Sequence, residues 1–479
     1  MEDLPEHLVY EILGRLKKTA DRNSTSLACK RLHNIDREQR ELLRVGCGLH
    51  PGPAFEALIS LCNRFPNLRK VEINYSSWCS QFGIQLSNQG LLILSQHCPS
   101  LVDLTLSHCN SINDFGLRYL SCCTKLTALR LESTERITAR GLFFVVARCK
   151  NLITLHLTEC SNVTGIKWLE YLGMVGTLED LSIKFCNAIE EEDLAKLGAA
   201  WEKLKRLQFV ANLYSIYRAQ SPDLQKNLQW VSCENMVELS LTYCIVHPGR
   251  GLSCLLGRCR ALEKLDLQIC LGVGDSDIVS LAQKSNNLRS ITLHLPLKPP
   301  YYMPNTALMH LTDESLKALA QNCPMLESVE ISFTRQWKCP SSSLFSLSGI
   351  LTLIQTCPLR VLILDNVYMF DDDGMKALCS AHFLETLELV RCQEISDEGL
   401  QFVGQIPHLR FLKIVRCLHV TDNGLKPLVG SHKLGMLTVE ECPCISQQGV
   451  QGAARSVSYK GDPKNTWMSL LGPCSFSFI

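Results

Sequence analysis

The sequence has no stretch that reads as a membrane span. Its most apolar run near the front, Leu142-Phe-Phe-Val-Val-Ala147, is far too short to cross a bilayer. Met1-Glu-Asp-Leu-Pro5 lacks the basic start and apolar centre of a secretory leader. The final Cys474-Ser-Phe-Ser-Phe-Ile479 is no prenylation box, because the cysteine is not fourth from the end. Charge of one sign is not in excess: 48 Lys and Arg stand against 47 Asp and Glu, a net charge of +1. Binding to a phosphate backbone needs a concentrated basic surface, which this balance gives no reason to expect. A Gly-rich phosphate loop, H-E-x-x-H and G-x-S-x-G are all missing. His97, His108, His156, His294, His382 and His432 are scattered without ligand spacing. The expectation is an intracellular chain of cytoplasm and/or nucleus, with no cofactor, metal, nucleic acid or membrane partner and no catalytic residue.

What is present is a repeat. Leu101-Val-Asp-Leu-Thr-Leu-Ser-His-Cys109, Leu152-Ile-Thr-Leu-His-Leu-Thr-Glu-Cys160, Leu384-Glu-Thr-Leu-Glu-Leu-Val-Arg-Cys392 and Leu409-Arg-Phe-Leu-Lys-Ile-Val-Arg-Cys417 all read L-x-x-L-x-L-x-x-C. Fourteen copies begin at 68, 101, 126, 152, 178, 204, 236, 262, 288, 326, 359, 384, 409 and 434, usually 25 or 26 residues apart. That period falls within the leucine-rich-repeat range. Each copy ends in the alternation of a strand. A second unit follows, as in Ile112-Asn-Asp114-Phe-Gly116-Leu117 and Ile395-Ser-Asp397-Glu-Gly399-Leu400. There, Asp is expected to cap the helix it opens, and apolar residues three apart give one buried face. The fold class predicted is α/β: a leucine-rich-repeat solenoid, a horseshoe with parallel strands inside and helices outside.

The 25 cysteines take their place in this scheme. Cys109, Cys160, Cys186, Cys244, Cys270, Cys392, Cys417 and Cys442 close the strand signature. Cys98, Cys123, Cys149, Cys233, Cys259, Cys323 and Cys357 sit just before the next strand. Both slots are interior, where a small soft residue suits a leucine core. Cys122-Cys123 and Cys442-Pro-Cys444 lack the C-x-x-C spacing of metal sites. Reduced, structural cysteines are predicted.

Ahead of the repeats stands Leu4-Pro5-Glu-His-Leu8-Val-Tyr-Glu-Ile12-Leu13-Gly-Arg-Leu16, then a polar stretch, then Ser26-Leu27-Ala28-Cys29-Lys30-Arg31-Leu32. Pro5 suits a first helical turn. Leu4, Leu8, Ile12, Leu13 and Leu16 offer more apolar surface than one short helix buries against itself. These residues resemble the F-box, the motif that docks on a Skp-type adaptor, which in turn binds a cullin. The resemblance assigns adaptor binding to Leu4, Pro5, Leu8, Ile12, Leu16, Cys29, Lys30 and Arg31. Leu32 departs from the aromatic common in that family and implies weaker docking there. Joined to cysteine-containing repeats of D-x-G-L type, the pattern is similar to the F-box proteins with leucine-rich repeats, substrate receptors of Skp–cullin–F-box ubiquitin ligases. The expected organisation is 1–45 a small all-α F-box, 46–456 about 14 repeats and 457–479 a C-terminal tail. The alternative is a ligase-independent scaffold or small-ligand sensor whose first helices merely cap the solenoid.

For an unknown protein target two surfaces stand out. Strand positions that face the concave side become apolar late in the chain: Val361, Ile363, Val390, Phe411, Val415 and Met436, bordered by Arg391, Lys413 and Arg416. These form a target stripe, or lie under the C-terminal tail, with the basic groups pairing to Glu388, Glu440 and Glu441. Stretched repeats also carry aromatic rim-loop residues, Trp78, Tyr214, Tyr217, Trp230, Tyr301, Tyr302 and Trp337. The plant auxin and jasmonate receptors share this general plan, with rim loops around a small-molecule pocket, but no ligand motif of theirs carries over.

Overall fold

The computed structural model describes residues 4–16, 18–46, 54–77, 85–211, 233–244, 255–296, 311–334, 345–430 and 433–461. The chain divides into two compact units, Met1–Ser221 and Pro222–Ile479.

The first unit opens with three helices, α1 (Glu6–Arg15), α2 (Thr19–Ala28) and α3 (Lys30–Gln39). Seven parallel strands then pair in chain order: β1 (Leu42–Gly46), β2 (Lys70–Asn74), β3 (Asp103–Ser107), β4 (Ala128–Glu132), β5 (Thr154–Thr158), β6 (Asp180–Lys184) and β7 (Arg206–Val210). The second unit continues the plan with β8 (Glu238–Thr242), β9 (Lys264–Gln268), β10 (Ser290–Leu295), β11 (Ser328–Phe333), β12 (Val361–Asp365), β13 (Thr386–Val390), β14 (Phe411–Val415), β15 (Met436–Glu440) and β16 (Ser456–Lys460). Every strand from β2 to β15 begins two residues after a repeat start read from the sequence. The leucine-rich-repeat reading of the fold therefore holds strand by strand. β1 and β16 lie outside the fourteen copies, because the first leucine slot of each holds Arg40 or Ala454. β1 runs across residue 45 and β16 across residue 457.

Within a repeat the second and fourth strand residues are buried, as Leu104 and Leu106 are, while their neighbours face the other way. The residue after most strands adopts a left-handed backbone: His108 (φ 55°), Glu159 (φ 53°), Arg391 (φ 55°) and Arg416 (φ 53°). A non-glycine residue there costs about 1–2 kcal/mol. Its N–H offsets that by donating to the next strand, as His108 does to the Glu132 carbonyl at 2.8 Å. The turn drops the following cysteine into the core. All the cysteines of the two interior slots are buried. The strand-closing thiols donate back to the preceding repeat, Cys109 to the Ile73 carbonyl (3.7 Å), Cys160 to Leu131 (3.6 Å) and Cys392 to Leu364 (3.4 Å). Among the described residues no group of His, Cys, Asp and Glu is arranged to hold a metal ion.

The Asp of the D-x-G-L signature does not cap its own helix. The cap is the residue before it, as Ser396 accepts from the Glu398 N–H and Thr421 from that of Asn423. Asp372 instead accepts from the backbone N–H and hydroxyl of Ser396 one repeat later, and Asp397 does the same for Thr421. The carboxylate thus ties repeat to repeat.

Candidate functional site

In the N-terminal helices, α1 is amphipathic. Val9 and Leu13 face inward and close a core with Leu32 and Ile35; Leu4, Tyr10 and Leu16 pack at its margin. Leu8 and Ile12, four residues apart, form a neighbouring strip about 100° round the helix from that stripe and are 38% and 43% exposed. Pro5 is the residue before the helix, with Glu6 in the first turn. The predicted adaptor residues therefore separate. Pro5, Leu8, Ile12, Cys29 and Lys30 are exposed; Leu4 and Leu16 are half-buried against the core, and Arg31 is half-buried with its guanidinium donating to the Leu4 carbonyl. Leu32, expected at the docking face, is instead a core residue, since it falls on the inner stripe of α3. Cys29 is the cap of α3, its sulfur accepting from the Leu32 N–H at 3.5 Å. Leu27, 77% exposed beside Cys29, belongs to the outer surface and was not singled out in the sequence. Its place two residues before Cys29 is the signal that points to it.

A buried charge cluster fixes these helices to the first repeat. Asp36 is fully buried and pairs with Arg22 (2.6 Å) and Arg40 (2.8 Å). The Arg40 guanidinium lies 4.6 Å from the centre of the Phe65 ring. Burial pulls the Arg40 pKa below its ordinary value, and the Asp36 carboxylate opposes that pull. Arg40 also leads into β1, so α3 passes into the sheet with only Arg40 and Glu41 between.

On the strand face of the first unit, charges pair with each other. Arg44 meets Glu72 (2.7 Å), Arg130 meets Asp103 (2.6 Å), and Asp180 lies between His156 (3.0 Å) and Arg206 (3.0 Å). The Asp180 carboxyl is held below its ordinary pKa by these partners, against the opposing effect of burial.

The second unit carries the predicted target stripe, and strand register divides it. One row runs Val361, Thr386, Phe411, Met436; the next Ile363, Glu388, Lys413, Thr438; the third Asp365, Val390, Val415, Glu440. Phe411 and Met436 are adjacent and exposed, Phe411 at 47%. Val390 and Val415 are adjacent and half-buried. The polar row between them contains the ion pair Lys413–Glu388 at 3.3 Å, so the stripe is two apolar pairs rather than one band. The bordering arginines are engaged within the fold: Arg391 with Asp365, and Arg416 Nε with Glu441 at 2.6 Å. Arg391 thus takes Asp365, not one of the glutamates expected for it. Residues 457–460 of the expected tail lie in β16, at the edge beside β15. Trp78, Tyr214, Tyr217, Trp230, Tyr301, Tyr302 and Trp337 lie outside the described residues.

Two segments, residues 97–121 and 380–404, match the family model described as Leucine Rich repeat. The chain is 22% identical to "GRR1-like protein 1" of Arabidopsis thaliana over 68% of its own length and 63% of that protein. It is 28% identical to "Transport inhibitor response 1-like protein Os05g0150500" of Oryza sativa subsp. japonica, over 51% of its own length and 39% of that protein. It therefore spans less than two thirds of the length of either relative. Among solved structures, a chain of the "Crystal structure of Rad7 and Elc1 complex in yeast" is similar in fold, with a TM-score of 0.51 and 16% identity over 86% of this chain and 94% of that one. The N-terminal helical motif, the cysteine-closed repeats and these relatives make the chain similar to F-box proteins with leucine-rich repeats.

Proposed function

We propose that the chain is the target-recognition subunit of a Skp–cullin–F-box ubiquitin ligase. In this reading the three N-terminal helices dock on a Skp-type adaptor and through it a cullin, and the repeats that follow, β1 and β16 included, hold a protein target. Ubiquitin transfer belongs to the assembled complex in the cytoplasm and/or nucleus, and this chain contributes target choice and proximity rather than a catalytic group.

The observation that carries the proposal is the outward pair Leu8 and Ile12 on α1. The helix already has its core stripe in Val9 and Leu13. Folding uses one stripe of a short helix, so a second apolar stripe is surplus to it and suits a partner. The short passage from α3 into β1 supports the same reading, because it joins the docking helices closely to the first repeats. Co-expression with a Skp-type adaptor tests it. Leu8→Asp with Ile12→Asp is expected to abolish co-purification, because a charge is desolvated at an apolar contact, while the melting temperature of the chain stays the same. Equal recovery of adaptor by the variant would sink the assignment. Failure of the unaltered chain to bind any adaptor would favour the scaffold reading, with the three helices as a cap.

A further inference from the structure

The helices of residues 114–175 turn an aromatic surface outward. In the helix Asp114–Tyr119, Phe115, Arg118 and Tyr119 share one face through their three- and four-residue spacing, and all are exposed. In Ala139–Arg148 the outer face carries Arg140, Phe143 and Phe144; in Lys167–Val175 it carries Tyr171 and Met174. Phe115 is 64% and Met174 82% exposed. The surface is continuous from helix to helix. Phe143 meets Tyr171 edge-on with ring centres 5.6 Å apart, and Cζ of Arg118 and of Arg140 lie 5.8 Å and 5.7 Å from the centre of Phe144.

An outer helix face of this architecture does not require such residues. In the second unit most positions equivalent to Phe115 and Arg118 are polar and exposed, as Glu314 and Lys317, Asp373 and Lys376, Glu398 and Gln401, and Asn423 and Lys426 are, while Val279 and Leu351, equivalent to Arg118 in two other helices, are half-buried. Exposed apolar area of this kind marks an interaction site.

Charge defines the partner. Arg118 and Arg140 are held beside an aromatic ring, and no ion pair joins either to a carboxylate among the described residues. Of the carboxylates on these helices, Asp114 is bound to Thr138 and Glu170 lies 3.4 Å from Lys196. The strand face of the same unit is the opposite case, with Arg44, Arg130 and Arg206 all paired. A guanidinium beside a ring keeps in-plane N–H donors that match a carboxylate. Two such groups are few for a polyphosphate backbone, whose binding scales with the number of phosphates neutralised.

We propose that this helical face docks an acidic protein segment. Its aromatic or aliphatic side chains would cover Phe115, Phe143 and Met174, and its carboxylates would pair with Arg118 and Arg140. The site is separate from the strand positions assigned to the target and stands whether or not the chain works in a ligase.

Selection of a displayed library of short random peptides on the full chain tests the proposal, with parallel selection on Phe143→Ser/Arg140→Glu. The expected result is a set of binders with Asp and Glu around a Phe, Trp or Leu, each about tenfold weaker on the variant. Met174→Ser, at a position open to solvent, repeats the test without touching an arginine and should weaken the same binders. Arg118→Glu with Arg140→Glu should turn the preference towards Lys-rich peptides. No binder at all, binders indifferent to these substitutions, or binders rich in Lys and Arg on the unaltered chain would each overturn it. So would tighter binding of oligothymidylate than of the acidic peptides, which would make the face a single-strand nucleic-acid site.

Discussion

A Cβ atom placed on Gly399 would lie 2.2 Å from the Oδ1 atom of Asp372, one repeat earlier. That oxygen accepts from the Ser396 N–H at 2.9 Å, and its partner oxygen accepts from the Ser396 hydroxyl. The glycine is needed for the space the carboxylate occupies, not for its backbone angles. The same contact recurs at Gly141 with Asp114, Gly349 with Asp313 and Gly449 with Asp422. One repeat solves the problem differently: Ser315 stands in the glycine position and its hydroxyl donates to Asp275. Gly399→Ala should therefore cost about 1–3 kcal/mol through overpacking, and Gly399→Ser less, because its hydroxyl can donate to the carboxylate as that of Ser315 does to Asp275 and so offset part of the same crowding. Asp372→Ala should cost about 1–3 kcal/mol by stranding the Ser396 N–H. The two losses should be less than additive in a double variant, since both act at one contact. Urea melts of the four variants check the order.

Cysteine behaviour provides the second prediction. Burial pushes Cys109, Cys149 and Cys392 up to about 12, so their thiolates are scarce at neutral pH. Cys29, Cys122 and Cys444 are exposed. Among the described cysteines, brief treatment of the native chain with iodoacetamide should label those three first, with the interior thiols appearing only in urea. Adding reductant should leave the melting temperature unchanged. A large loss of stability in reductant would mean disulfides and overturn the structural reading.

The repeat phase was legible because Leu, Leu and Cys recur at fixed offsets, and every strand from β2 to β15 obeys it. The flanking strands were not, because Arg40 and Ala454 replace the leucine that signals a copy. Arg40 is instead committed to Asp36 and Phe65, a contact between segments that no local pattern announces. The capping role expected of Asp397 failed for a similar reason: its partner, Thr421, sits one repeat away. The stripe was misread as continuous because alternation gives the face of a residue but not its neighbour across the sheet. Register places Lys413 and Glu388 between the two apolar pairs.

Leu8 and Leu32 separate docking from folding. Leu32 is 5% exposed within the core of the three helices. Leu32→Ala should destabilise that region by about 2–5 kcal/mol, seen as early exchange of amide hydrogens in α1 and α3. Leu8→Asp should leave exchange unaltered while removing adaptor binding. If Leu8→Asp loosened the helices as Leu32→Ala does, Leu8 would be a packing residue.

Glu330 provides a pH prediction. Burial raises its pKa, Thr292 opposes that by donating to the carboxylate, and Asp266, Glu388 and Asp365 add to the rise. The folded state then holds a proton that the unfolded state has released. Stability falls as pH rises from the ordinary glutamate value through the raised one, and the loss persists above it. Glu330→Gln keeps an acceptor for Thr292 and removes the charge. It should be modestly more stable than the unaltered chain at pH 7, with the difference vanishing below the ordinary glutamate pKa. A constant difference at all pH values would trace the effect to packing.

The target surface now has a narrower expectation. Phe411 and Met436 are neighbours across β14 and β15, both exposed, and a short target segment is expected to meet this apolar pair. Aromatic residues dominate binding hot spots, so Phe411 is the expected anchor. The arginines beside it have another employment. Arg391 is paired with Asp365 and Arg416 with Glu441, so using them on an acidic or phosphorylated target would first break those pairs. Phe411→Ala with Met436→Ala should weaken target binding by about 2–4 kcal/mol and lengthen target lifetime in cells, with folding and adaptor binding intact. Arg391→Ala with Arg416→Ala should chiefly free Asp365 and Glu441, with a smaller effect on turnover. Normal turnover in the Phe411 and Met436 variant would move the expected target site to the segments that carry Tyr214, Tyr301 and Trp337. A larger loss from the arginine pair than from the apolar pair would mean that the target breaks those ion pairs and supplies its own acid.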